Sequence, residues 1–145
     1  MSGSRAIFGT VPDRHYLGFW ADQTLNSRAV ADFLDLDKRS VAKLAGVAPA
    51  SVRFDQKIPK EVFERLQEIA NICELVAQFF KGDGAKTALW FKTKNPSLGD
   101  ISPRDMIRYG RYEKLRRFIM NALDDNDAVS ASKSEAHAES KEEAT

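Results

Sequence analysis

Residues 90–123 read WFKTKNPSLGDISPRDMIRYGRYEKLRRFIMNAL, and turn-forming residues divide this stretch into helical segments. Pro96 disfavours a helical backbone at Asn95, so a helix that carries Trp90 is expected to stop there. Gly99 can adopt the positive φ of a tight turn without a steric penalty. The stretch therefore predicts a helix that ends in a constrained turn.

Two more helices are predicted after this turn. Ser102 is a suitable N-cap, Pro103 fits the first helical position, and the Asp105 carboxylate can return a hydrogen bond to the amide of the cap. Gly110 is expected to end or kink this helix, and a last helix is predicted over residues 111–123. The apolar residues expected to face inward are Ile107, Tyr112, Leu115, Ile119 and Leu123.

This order of residues, a Trp followed by N-P-x-L-G, S-P-x-D-x-I and G-R, resembles the toxin-binding domain of the MbcA/ParS/Xre antitoxin family. The resemblance extends over roughly residues 30–123 and is strongest after Trp90. It implies a small helical antitoxin that seals the active cleft of a cognate toxin, commonly a RES-type toxin that consumes the NAD of the cell. Regulation of its own operon is a further role that the resemblance allows. The motif residues are Trp90, Asn95, Pro96, Gly99, Ser102, Pro103, Asp105 and Gly110.

Length and composition restrict the class of protein. The chain has 145 residues, of which 43% are hydrophobic and 30% charged, enough for one real core or two very small ones. A run of about 18 apolar residues is missing, so no membrane span is predicted, and the first residues lack the apolar core of a signal peptide. A single cysteine, Cys73, suits a reducing cytoplasm and is interpreted as a core residue. We expect a cytoplasmic homodimer.

The net charge of +1 conceals a difference between the body and the C-terminal end. From Asp124 onward there are seven acidic and two basic side chains, so residues 1–123 are mildly basic. The tail has almost no large apolar side chains and is predicted to be disordered. Neither His137 in this tail nor any other residue stands at a metal-ligand spacing, so no metal site or cofactor is predicted.

Residues 1–26 form a leader that contains several aromatic side chains but no clear helical period. Gly18 and Pro12 favour irregular structure, and the aromatic residues are expected to pack on the domain or on a partner. His15 is interpreted as a surface or partner contact. The large apolar residues of this leader are Phe8, Tyr16, Leu17, Phe19 and Trp20.

Residues 27–81 are interpreted as a helix-turn-helix half followed by a long linking helix. Ser27 is a plausible cap for a first helix over 28–35, Asp37 for a second over 38–45, and a third is expected from Pro49 to about Phe54. The spacing of Ala42, Gly46 and Val52 resembles the helix-turn-helix of Xre-type repressors. The alternative is a structural remnant that serves dimerisation or toxin docking.

DNA contact would use the third predicted helix, the residues directly after it and the second predicted helix. Asp55 places a carboxylate where phosphates would approach, which opposes DNA binding. The residues able to reach base edges are Ser51, Arg53 and Gln56, and those able to reach phosphates are Lys38, Arg39 and Lys43.

The linking helix is predicted to open at Pro59 and to continue through Lys81. Its apolar face is so wide that we expect burial on both sides, as a spine between the two halves. Asp83, between two glycines, is predicted to cap the helix that carries Trp90. The apolar residues of the spine are Val62, Phe63, Leu66, Ile69, Ile72, Cys73, Val76, Phe79 and Phe80.

The predicted organisation is all-α in four parts: leader 1–26, helix-turn-helix-like half 27–81, toxin-binding domain 82–123 and acidic tail 124–145. No sequence signature of an enzyme is present. Two functions remain: an antitoxin against a RES-type toxin, or a sequence-specific DNA-binding repressor whose C-terminal half dimerises.

A basic side of the last helices is the candidate toxin contact, with a solvated face as the alternative. Its residues are Arg108, Arg111, Lys114 and Arg117.

Overall fold

The computed structural model describes residues 15–125, which are mainly helical and carry one small β-hairpin. The predictions for residues 1–14 and for the acidic tail beyond residue 125 lie outside this range. None of the described helices has the length and apolar character needed to cross a membrane. The helices are α1 (Ser27–Phe33), α2 (Lys38–Ala45), α3 (Lys60–Phe79), α4 (Gly84–Lys92), α5 (Pro103–Arg108) and α6, described over 112–125, with 3₁₀-helices at Pro49–Ser51 and Pro96–Leu98.

The end of the leader is a two-stranded antiparallel hairpin rather than irregular chain. Strand β1 (Trp20–Ala21) pairs with β2 (Thr24–Leu25), and the two turn residues, Asp22 and Gln23, both have positive φ. Such turns match the twist of paired strands but normally carry Asn or Gly, so the sequence gives little signal for them. Phe19 is buried, as the prediction of packed aromatics requires.

The first two helices begin at side-chain caps. Asn26, not Ser27, caps α1, because its carboxamide oxygen accepts a hydrogen bond from the amide of Ala29 at 3.1 Å. Helix α1 ends at Phe33 instead of Asp35, since Asp35 has a φ of +52°. The predictions for α2 are confirmed: Asp37 accepts from Ser40, and Gly46 ends the helix in the left-handed conformation.

The third helix of the expected helix-turn-helix is shorter than predicted. A single 3₁₀ turn at Pro49–Ser51 replaces it, and Val52, which is buried, is extended. Asp55 provides the physical reason, because its carboxylate accepts from the amide of Lys57 and binds the Arg53 guanidinium. These bonds hold residues 53–57 in a turn, so no α-helix is present where a recognition helix was expected.

Helix α3 is the centre of the fold. It begins at Lys60 with Pro59 as its cap, and it packs against α1, α2 and α4. Phe79, predicted to widen the buried face, is instead half exposed. Ten of its side chains are buried, which confirms the expected burial on both sides: Val62, Leu66, Ile69, Ala70, Ile72, Cys73, Glu74, Leu75, Val76 and Ala77.

Glu74 is the one charged residue among them, and it holds the end of the leader. Its two carboxylate oxygens accept from the backbone amides of Tyr16 at 2.6 Å and of Leu17 at 3.1 Å. Burial raises the pKa of Glu74, whereas the two amides and His15 act in the opposite direction. Because the folded pKa lies above the unfolded one, the stability gained from protonating this group is lost as pH rises through the folded pKa.

We expect Glu74→Gln to speed hydrogen exchange at the amides of Tyr16 and Leu17 roughly tenfold, because one acceptor oxygen becomes an NH₂ group that cannot accept from N–H. Native-state exchange followed by NMR measures this. Glu64→Gln, an exposed change on the same helix, is the matched control and should leave both amides unchanged. Unaltered protection in Glu74→Gln would show that these bonds do not hold the leader.

Cations from the C-terminal half hold the end of α1. The Arg104 guanidinium on α5 donates to the carbonyl oxygens of Leu34 and of Asp35, the latter at 2.6 Å. Lys92 on α4 forms a 2.9 Å ion pair with the Asp35 carboxylate. Carbonyls at a helix C-terminus lack partners within the helix and carry partial negative charge, so both contacts stabilise this junction.

We expect Arg104→Met to lower the free energy of unfolding by about 1–3 kcal/mol, because two carbonyl oxygens lose a charged donor while the apolar stem is retained. Chemical denaturation of both proteins measures the difference. Lys94→Met is the control, because it removes an exposed cation of the C-terminal half that has no such contact with a described residue. It should change the free energy of unfolding by less than about 0.5 kcal/mol. Equal stability of the Arg104 variant and the parent would contradict the role given to this side chain.

Candidate functional site

The turn after α4 is closed by hydrogen bonds from Asn95. Its side-chain oxygen accepts from Ser97 at 2.9 Å, and its carbonyl accepts from the amides of Leu98 and Asp100. The amide of Asn95 donates to the carbonyl of Ile101 at 3.2 Å, which makes an antiparallel bridge. Asn95 therefore ties both ends of the turn together, and the Asn-Pro pair has a structural function beyond stopping a helix.

Gly99 has a φ of +80°, as the sequence predicts. A Cβ atom placed there would meet no other atom within 4 Å, so the constraint is the backbone conformation and not the space. Asp100, the next residue, also has a positive φ. Two successive left-handed residues turn the chain back toward α5.

We expect Gly99→Val to lower the free energy of unfolding by about 1–3 kcal/mol, since a β-branched residue is strained at positive φ. The melting temperature and chemical denaturation measure this. Gly84→Ala is the matched control: Gly84 begins α4 with an ordinary φ, and an added Cβ would lie 3.7 Å from Leu17. A melting temperature of Gly99→Val equal to that of the parent would mean that the turn does not require glycine.

The structure confirms most of what was predicted for the start of α5. The Ser102 hydroxyl accepts from the amide of Asp105 at 3.1 Å, and Pro103 occupies the first turn. The Asp105 carboxylate was predicted to accept a hydrogen bond from the amide of the cap, but it accepts one from the Arg108 guanidinium at 2.9 Å instead. Gly110, with a φ of +80°, ends the helix.

The pairing of Arg108 changes the predicted basic side. The Asp105 partner raises the pKa of Arg108, and the guanidinium also lies 5.9 Å from the ring centre of Tyr109. This cation is already neutralised within the chain. Arg111, Lys114 and Arg117 are exposed and form no salt bridge with the residues that the structure describes.

An apolar cavity of about 200 Å³ lies beside the turn, between the end of α3, α4 and α6. The Trp90 ring borders it and packs edge-on against Phe91 at 5.1 Å. Sequence patterns predicted inward positions on each helix, but they gave no sign that the side chains leave a gap between them. Its lining includes Val76, Phe80, Trp90, Asn95, Phe118 and Leu123.

The residues predicted for DNA contact divide into two groups. Arg53 donates to the Asp55 carboxylate at 2.8 and 2.5 Å, and this pairing lowers the pKa of Asp55. Lys38 and Arg53 line a surface cleft together with Arg28, a residue for which the sequence predicted no role. The others, which are exposed, are Arg39, Lys43, Ser51 and Gln56.

Cys73 is fully buried, and burial raises the pKa of its thiol well above the usual value. A thiol in this environment stays protonated and is a poor nucleophile, as expected for a core residue. Within residues 15–125, three or more His, Cys, Asp or Glu side chains do not gather at any point where a metal could bind.

Comparison of the chain with models of protein families, with curated proteins and with solved structures gave no match.

Proposed function

We propose that this chain is the antitoxin of a type II toxin–antitoxin system, which binds and blocks the active cleft of an NAD-consuming, RES-type toxin. The observation that carries the proposal is the geometry of the region from Trp90 to Gly110. Three motif residues of the resemblance have specific structural roles there: Asn95 closes the turn, Gly99 takes a positive φ and Ser102 caps α5. A turn held so firmly suits the presentation of a fixed binding surface.

Three exposed cations supply the proposed toxin contact: Arg111, directly before α6, and Lys114 and Arg117 within it. Lys114 and Arg117 are three residues apart on one helix, and Arg111 precedes them at the same interval, so all three face one side. Arginine binds carboxylates and carbonyl oxygens through two parallel hydrogen bonds, which makes it effective at protein interfaces. Arg108 takes a supporting role, since Asp105 already neutralises it.

We expect the double variant Arg111→Glu/Lys114→Glu to lose neutralisation, measured as NAD depletion in cells that express both proteins. Charge reversal places carboxylates opposite the acidic or carbonyl groups of the toxin, while both side chains are exposed, so the fold should persist. The matched control is Lys38→Glu/Lys43→Glu on α2, which changes the net charge equally and should still protect. If the Arg111→Glu/Lys114→Glu protein keeps its circular dichroism and melting temperature and still protects the cells, this face is excluded as the toxin contact.

The alternative is a DNA-binding repressor whose C-terminal half dimerises, and it has one supporting observation. Arg39 and Lys43 are four residues apart and share an exposed side of α2, where phosphates could be contacted. The 3₁₀ turn at Pro49–Ser51 is too short to read a major groove as a recognition helix does. Retardation of promoter DNA at moderate salt, weakened by Arg39→Ala, would favour the repressor.

A further inference from the structure

A cleft of about 320 Å³ opens on the surface between the start of α1, the start of α2 and the loop 53–55. Three cations and one carboxylate line it together with an aromatic ring, so its lining is positively charged. It shares no residue with the surface proposed for the toxin. The lining residues are Arg28, Lys38, Arg53, Phe54 and Asp55.

Two of the three cations are available to an anion. Arg28 is mostly exposed, and its nearest acid, Asp32, lies 4.0 Å away. Lys38 forms no salt bridge with the residues that the structure describes. Surface ion pairs at such distances contribute little, so a phosphate could engage both side chains without breaking a strong internal contact.

Phe54 gives the cleft an apolar surface. Its ring is half-buried against the core, and the Arg28 guanidinium lies over it at 5.6 Å from the ring centre. Aromatic rings and guanidinium planes are the surfaces on which nucleic-acid bases stack. The volume is at the lower end of that for small-molecule sites, which suits one nucleotide unit.

We propose that this cleft binds a nucleotide unit, with its phosphate between Arg28 and Lys38 and its base against the Arg28–Phe54 pair. A free nucleotide and a single strand of nucleic acid both offer this chemistry. Asp55 weakens the binding, because its carboxylate repels phosphate and occupies the Arg53 guanidinium. The proposal does not depend on toxin neutralisation, since the two surfaces are separate.

The test uses the full chain and a fluorescein-labelled single strand of ten thymidine nucleotides, with binding followed by fluorescence anisotropy at low salt. We expect Lys38→Glu to weaken binding about tenfold or more, because a phosphate contact becomes a repulsion. Lys86→Glu, the same charge change on α4 and outside the cleft, is the control and should alter affinity less than about twofold. Circular dichroism verifies that both variants fold.

Two further variants distinguish binding in this cleft from a non-specific attraction between the strand and basic side chains. Asp55→Asn should strengthen binding about threefold or more, a gain that unfolding cannot produce, since it removes a repulsive charge and releases Arg53. Phe54→Leu should weaken binding of the labelled strand about fivefold or more through lost stacking. The same variant should leave competition by inorganic phosphate unchanged.

Competition identifies the source of the nucleotide. Displacement of the strand by AMP at equal nucleotide concentration supports a free nucleotide, and displacement only by unlabelled strand supports a nucleic acid. Failure of the parent chain to bind the labelled strand or AMP overturns the proposal. Equal weakening by Lys38→Glu and Lys86→Glu, inorganic phosphate competing as well as AMP, or tighter binding of a duplex than of the single strand would also overturn it.

Discussion

Helix α3 is buried on all sides over residues 72–77, and this burial determines where the neighbouring helices lie. Because apolar side chains point in every direction there, α1, α2 and α4 pack around α3 and share one core. Glu74, buried in the same helix, makes the end of the leader part of this cover through two backbone amides. The candidate binding surfaces therefore lie on the outer sides of the helices that cover α3.

Two arginines join the helices around this centre. Arg104 donates to carbonyls at the end of α1, and Arg65 donates to the carbonyl of Leu44 at the end of α2 at 2.9 Å. The Arg65 guanidinium also contacts the hydroxyl of Tyr112 and lies 4.4 Å from the centre of its ring. Both arginines bridge regions distant in sequence, and Arg104 does so three residues after the turn at 95–101, whose Leu98 and Ile101 also pack against the core.

Local chemistry explains which features the sequence could predict. The caps at Asp37, Asp83 and Ser102 and the positive φ at Gly99 depend on neighbouring residues, and the structure confirms all four. Non-local contacts explain the failures: Asp35, which ends α1 early, is held by Lys92 and Arg104, and Glu74 reaches residues 57 and 58 positions away. The short hairpin was missed because Gln23 stands at a turn position that usually carries glycine. The turn at 53–57 rests on a local bond to Asp55, a common turn residue, so it could have been predicted.

The candidate surfaces follow the same division. Exposure of Arg111, Lys114 and Arg117 was predictable from helical spacing, and so was the pairing of Arg108 with Asp105, which lies three residues earlier on α5. The cavity beside Trp90 required the packed structure, because its lining comes from helices distant in sequence. The proposed toxin contact therefore has three cations without a salt bridge to a described residue, rather than the four that the sequence indicated.

Co-purification of the full chain with the product of the adjacent gene tests the proposed antitoxin function. The two proteins are expressed together, with a tag on the adjacent product alone, and the captured material is separated by size-exclusion chromatography. We expect one stable complex, in which the adjacent protein no longer consumes NAD. Separate elution of the two proteins, with NAD consumption unchanged by this chain, would contradict it.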